Sequence, residues 1–124
     1  MFGEIVDNTQ PVKPLSQLDE QLWPYVQATD KRLDAASIRY DGRERYFGRN
    51  LCAYDRVLAT IVGASTYISY ENKRYLNPVE IRRASTFPVD FNFCEEEVKY
   101  ITGMSVPPYM MHRVASSVIR QWFD

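Results

Sequence analysis

The stretch that decides how this chain folds runs from Arg74 to Pro108 and reads RYLNPVEIRRASTFPVDFNFCEEEVKYITGMSVPP. Asn77 suits the position just before a helix, because its short side chain can accept from the free amides of the first turn. Pro78 suits the first helical position, and Glu80 stands where a carboxylate can return the bond to the cap residue. This spacing predicts a helix whose face carries Val79, Arg82 and Arg83, and which ends before Phe87 because Pro88 turns the residue ahead of it away from helical angles. A second short helix is expected from Cys94 to Ile101, with Glu95, Glu96 and Glu97 in its first turn, where they complement the free amides, and with Gly103 as its C-cap.

The same residues resemble the C-terminal part of DNA cytosine-5 methyltransferases of phage or bacterial type. That family's ninth sequence block reads roughly Arg-x-Leu-Thr-Pro-x-Glu, then Arg, then Phe-Pro. Here it is matched by Arg74, Leu76, Pro78, Glu80, Arg83, Phe87 and Pro88, with Asn77 in place of the threonine. Gly103, Ser105, Val106 and Pro107 follow at the right distance and resemble the tenth block, Gly-Asn-Ser-Val-x-Pro, with Met104 where the family has asparagine. The likeness covers roughly the last 50 residues of 124 and, more loosely, the RYFGRNLCAYDRVLATIVG stretch before them.

The resemblance implies a division of labour. Residues 1–72 would belong to a DNA target-recognition region, and residues 73–124 would be the closing helical segment of the catalytic domain. Gly103, Ser105 and Val106 would edge the S-adenosylmethionine site, while Arg74, Glu80 and Arg83 would brace the recognition region against the catalytic core. In that family a cysteine in a Pro-Cys pair attacks the cytosine and a glutamate of a Glu-Asn-Val triplet assists it, on a base turned out of the duplex. Here Cys52 follows Leu51 and Cys94 follows Phe93, and neither the triplet nor a Phe-x-Gly-x-Gly cofactor loop is present. The expected partners are therefore double-stranded DNA and an N-terminal catalytic portion, and no catalytic residue or metal ligand is assigned to this chain.

Composition and charge fit a folded chain with room for one modest core: 45% of residues are hydrophobic and 14% aromatic. No apolar run approaches the ~20 residues of a membrane span. No charged and apolar leader is visible, so a cytoplasmic location is expected. The net charge of -1 conceals an uneven distribution, for residues 31–83 hold eleven bases, nine of them arginine, against six acids. Such an excess fits either a solvated, salt-bridged surface or a phosphate-facing one.

The remaining elements follow from local signals. Residues 1–14 contain two prolines and little periodicity, and are expected to form an extended or loosely packed arm. Ser16 and Asp19 mark a helix start, and one or two short helices are expected between Ser16 and Ala36, limited by Pro24. From Ile38 to Tyr70 a small twisted β unit is expected, opened by a hairpin at Asp41-Gly42. In an extended strand Arg43, Arg45 and Arg49 would share one side, interleaved with Tyr46 and Phe47. That pattern could hold phosphate and stack on bases, or could be an exposed sheet face with two aromatics in the core.

At the end of the chain Met111, Val114, Ala115, Val118, Ile119 and Trp122 recur at helical spacing behind Pro107 and Pro108, a wide apolar stripe that needs a partner. His112 and Arg113 fall on its polar side. The expected class is thus α+β, a small β unit flanked by short helices with a long amphipathic C-terminal helix. The alternative to a methyltransferase portion is a stand-alone, phage-type interaction or DNA-binding module, which exposed Met110 and Met111 would favour.

Overall fold

The computed structural model describes residues 1–45 and 48–123. In chain order it holds α1 (Gln17–Leu22), α2 (Asp34–Asp41), β1 (Arg49–Cys52), β2 (Thr66–Ser69), β3 (Arg74–Tyr75), α3 (Pro78–Ala84), α4 (Val98–Gly103) and α5 (Pro108–Trp122). One-turn 3-10 helices lie at Phe2–Glu4 and Trp23–Tyr25. The protein is α+β. Its sheet has the order β1-β2-β3, with β1 parallel to β2 and β3 antiparallel to β2. The 72/73 boundary falls in the turn between β2 and β3, so the two regions suggested by sequence share one sheet. Among the described residues no helix is long and apolar enough to cross a membrane.

Alternation along the strands explains how so small a sheet organises two cores. Leu51 and Ile68, opposite one another in register, face a cluster with Leu15, Leu22, Leu33 and Ala36 from α1, α2 and their flanks. Cys52 and Tyr67 face the other side, where Phe2, Leu76 and Ile81 complete a second cluster. The N-terminal residues are thus part of the core, not the loose arm their composition suggested. Phe2 is 1% exposed, and burying such a side chain stabilises by about 2–3 kcal/mol.

Local chemistry sets several helix ends. The Ser16 hydroxyl accepts from the Asp19 amide at 3.3 Å and starts α1, which gives way to a 3-10 turn at Pro24. The Asp41-Gly42 pair closes a helix instead of a hairpin. Gly42 takes the left-handed conformation at φ 74° and its amide donates to the Ile38 carbonyl at 2.9 Å. A glycine with positive φ serves both roles, and here Asp34 in the first turn and Arg39 in the last complement the helix dipole. The β unit consequently starts at Arg49, and Val57 in the RVLATIV stretch is 86% exposed in an irregular loop.

The second helix of the decisive stretch also starts later than expected. The Asn92 side chain accepts from the Cys94 amide at 2.8 Å, and Cys94 and Glu95 both adopt positive φ, at 53° and 65°. Glutamates 95 and 96 therefore precede α4, and Glu97 stands at its N-cap without a side-chain capping bond. Gly103 is the last residue of α4, and Met104 is the cap. Its need for glycine comes from contact: a Cβ there would lie 2.4 Å from the Gly63 amide nitrogen and 2.8 Å from the Val62 carbonyl carbon.

The C-terminal helix is the long amphipathic element foreseen from its stripe. Pro107 caps it, and the Thr86 hydroxyl accepts from the Tyr109 amide at 3.0 Å. No residue of α5 is buried. Val118, at the middle of the stripe, is 44% exposed and Trp122 is 77% exposed.

Candidate functional site

The block-like residues of the decisive stretch form one buried lock. Asn77 Oδ1 accepts from the Glu80 amide at 2.9 Å while Glu80 Oε1 accepts from the Asn77 amide at 3.0 Å, the reciprocal cap read from the sequence. Glu80 is wholly buried, and Arg74 reaches it through two bonds of 2.7 and 3.1 Å. The two-pronged contact raises the Arg74 guanidinium pKa further.

What this lock holds is the start of the chain. Arg74 Nη2 donates to the Asp7 carbonyl at 3.3 Å and to Asn8 Oδ1 at 3.2 Å, and Asn77 Nδ2 donates to the same Asp7 carbonyl at 2.9 Å. Arg83 Nη1 donates to the Ile5 and Val6 carbonyls at 3.2 and 3.3 Å. Within this chain Arg74, Glu80 and Arg83 fasten residues 5–8 onto α3 and its flank. No local sequence signal pointed to Asp7 and Asn8, because their role exists only through contacts about 70 residues away.

The three arginines assigned to DNA are not gathered on one strand face. Arg43 follows the end of α2, is exposed and makes no ion pair among the described residues; its carbonyl accepts from the Ser37 hydroxyl at 3.1 Å. Arg45 folds back onto Asp41 and Ser37, and the Asp41 hydrogen bond raises its pKa. Only Arg49 lies in a strand, where its guanidinium sits 2.8 Å from the buried carboxylate of Asp19. The physical reason is the helix that replaces the hairpin: α2 turns the chain before Arg43, so alternation never starts there. Tyr46 and Phe47, expected to interleave with the arginines, lie outside the described residues.

Arg49 instead lines a cavity of about 500 Å³ between the sheet, the start of α3, the start of α4 and residues 13–16. Lys13 and Lys99 line it as well, with Tyr67, Tyr75 and Ile81 among the walls. Nothing in the linear order joins Lys13 to Lys99, and the sequence reading passed over both.

At the segment resembling the tenth block, Gly103 packs on Val62 and Gly63, Ser105 Oγ donates to the Ile101 carbonyl at 2.7 Å, and Val106 is half exposed. The neighbouring helix end offers an anion few amides, since Pro107 and Pro108 bring no N–H and the Tyr109 amide is taken by Thr86. Of the thiols, Cys52 is buried, and desolvation pushes it up to about 12. It is protonated at neutral pH. Cys94 is exposed. His112 lies on exposed α5, stacked at 6.4 Å against the Tyr109 ring.

No family model, no curated protein and no solved structure matches this chain.

Proposed function

We propose that this chain is the C-terminal portion of a DNA cytosine-5 methyltransferase, as a fragment or as the small subunit of a split enzyme. It would act in the cytoplasm, contribute DNA recognition and complete the S-adenosylmethionine site of a separate catalytic portion. The observation that carries this reading is α5: a 15-residue amphipathic helix with no buried residue, on a body whose other elements close two cores. An apolar face of that extent calls for a cover. The ordered likeness of the Arg74–Pro88 and Gly103–Pro107 segments to the family's closing blocks supports the catalytic portion as that cover.

In this reading the Gly103–Val106 backbone edges the cofactor, because the Ser105 hydroxyl is already committed to Ile101. Arg43 is the most accessible of the three candidate DNA contacts, and Arg45 and Arg49 would exchange Asp41 and Asp19 for phosphate. The thiol of Cys52, protonated and buried, makes no nucleophile, so the chain by itself should not methylate DNA. The test is transfer of a labelled methyl group to duplex DNA by the purified chain, alone and mixed with a cytosine-5 methyltransferase truncated before its ninth block. Transfer only in the mixture is expected, and transfer by the chain alone overturns the proposal.

The exposure of Met110 and Met111, 53% and 49%, favours a second reading in which α5 serves a stand-alone interaction module. Self-association that buries α5, with no activity in the mixture, is the outcome that would select it.

A further inference from the structure

We propose that the cavity between the sheet and the starts of α3 and α4 binds a nucleotide, its phosphate held at a lysine-bearing rim and its base laid on an apolar floor. The inference goes beyond the methyltransferase reading, because the site is formed within this chain and needs no partner. At about 500 Å³ the cavity has the size of ligand pockets in general, which run from roughly 300 to 1,000 Å³.

Its walls are fixed before any ligand arrives. The Tyr75 hydroxyl donates to the buried Asp19 carboxylate and accepts from the Ser16 amide at 3.0 Å. The Tyr67 hydroxyl donates to the Thr60 carbonyl at 2.7 Å and accepts from the Val62 amide at 2.8 Å. With both polar tips satisfied by the protein, the half-buried Tyr75 ring, with Pro78 and Val98, offers the cavity its apolar surface, backed by the buried Tyr67, Leu76 and Ile81. Such a floor suits a flat ring of any base, since every base presents a π face.

The rim supplies the complementary charge. Lys13 makes no ion pair among the described residues, and its ammonium lies 5.7 Å from the Tyr75 ring centroid. Lys99 is 3.7 Å from Glu97, whose side chain is 70% exposed, a screened and weak pair. Arg49 is paired with Asp19. Three cations against the carboxylates of Glu97 and Asp19 leave the site one charge positive, and lysine ammonium groups bind phosphate as point charges. Inorganic phosphate would leave the floor bare, and a nucleoside would leave the rim unused.

A free mononucleotide and a nucleotide within a single strand carry this same chemistry, and the experiment separates them. The full chain is titrated with deoxyadenosine 5′-monophosphate, deoxyadenosine, inorganic phosphate and an oligodeoxyadenylate, following the amides of Thr66, Tyr75 and Lys99 by NMR. Saturable binding of the nucleotide at least about tenfold tighter than the nucleoside or phosphate is expected. Lys13→Gln combined with Lys99→Gln should weaken it about tenfold or more, while Lys31→Gln combined with Lys73→Gln, outside the cavity, should leave it unchanged. Stronger binding of the oligonucleotide at the same amides assigns the strand as ligand, and weaker binding assigns the free nucleotide. No saturation by either at millimolar concentration, equal binding of nucleoside and nucleotide, or equal losses in both lysine pairs would overturn the site. None of these results depends on methyl transfer, so failure here leaves the methyltransferase proposal standing.

Discussion

The helices α3 and α5 both begin at a proline within the C-terminal half of the chain, yet they end in opposite situations. The seven residues of α3 carry a wholly buried glutamate, to which Arg74 of β3 is latched, and contacts from Glu80 and Arg83 to residues 5–7. The fifteen residues of α5 carry a wide apolar stripe, and none of them is buried. Length and amphipathicity therefore do not decide which helix belongs to the body. What decides it is whether the side chains find partners that close their polar bonds and cover their apolar atoms. The body is complete in this sense at the Arg74–Asn77–Glu80 lock, while at the end of α3 Arg82 Nη1 and Ser85 Oγ are buried without a hydrogen-bond partner among the described residues, and it is incomplete at α5.

The sharpest way to break the contrast is to cut the lock. Glu80→Ala leaves Arg74 buried without its carboxylate and removes the bond to the Asn77 amide, which should cost about 3–5 kcal/mol. Urea unfolding followed by circular dichroism measures it, and a loss under 1 kcal/mol would show that the pair does not hold the body. Next in size is Gly103→Ala. The added methyl meets the backbone of Val62 and Gly63 at distances no side chain can yield to, and overpacking of this kind costs about 1–3 kcal/mol. A variant as stable as the parent would mean that α4 does not close on that loop.

How much of this was legible beforehand follows the range of the interactions. The reciprocal cap at Asn77 and Glu80, the Ser16 cap and the stripe of α5 are all encoded within four or so residues, and each reads correctly. Asp41-Gly42 is equally local but ambiguous, since a left-handed glycine closes helices and hairpins alike. The choice between them fell to the packing of Ala36 against Leu33 and Ile68, which only the fold supplies. The burial of Phe2 and the anchoring of Asp7 depend on contacts with residues 54–83 and leave no periodic trace in a proline-containing segment. The cavity was invisible for the same reason, its lysines standing at positions 13 and 99. Arg43, Arg45 and Arg49 alternate on paper, but alternation has meaning only inside a strand.

Alkaline pH probes the second core more gently. A buried thiol whose pKa is raised from 9.0 to about 12 stays neutral in the folded state while the unfolded chain ionises. Its contribution is fully present below pH 9 and is lost as pH rises from 9 towards 12. Burial raises the Tyr67 hydroxyl too, so it acts in the same direction. Stability should thus decline above pH 9, and Cys52→Ala should flatten part of that decline without abolishing it. An identical slope in the variant would place the alkaline loss elsewhere.

The smallest expected effect on stability belongs to α5, and it is also the most discriminating. Trp122→Ser and Val118→Ser remove apolar groups that are 77% and 44% exposed, so each should leave the unfolding free energy within about 0.5 kcal/mol of the parent. A fifteen-residue helix with no buried residue is marginal in water, and its amides should exchange with solvent faster than those of α3. If a catalytic portion covers the stripe, the same two substitutions should abolish methyl transfer in the mixture while the chain still melts like the parent. A loss of 2 kcal/mol or more in the isolated chain would instead mean that the stripe is already packed within this protein, and the case for an outside partner would go with it.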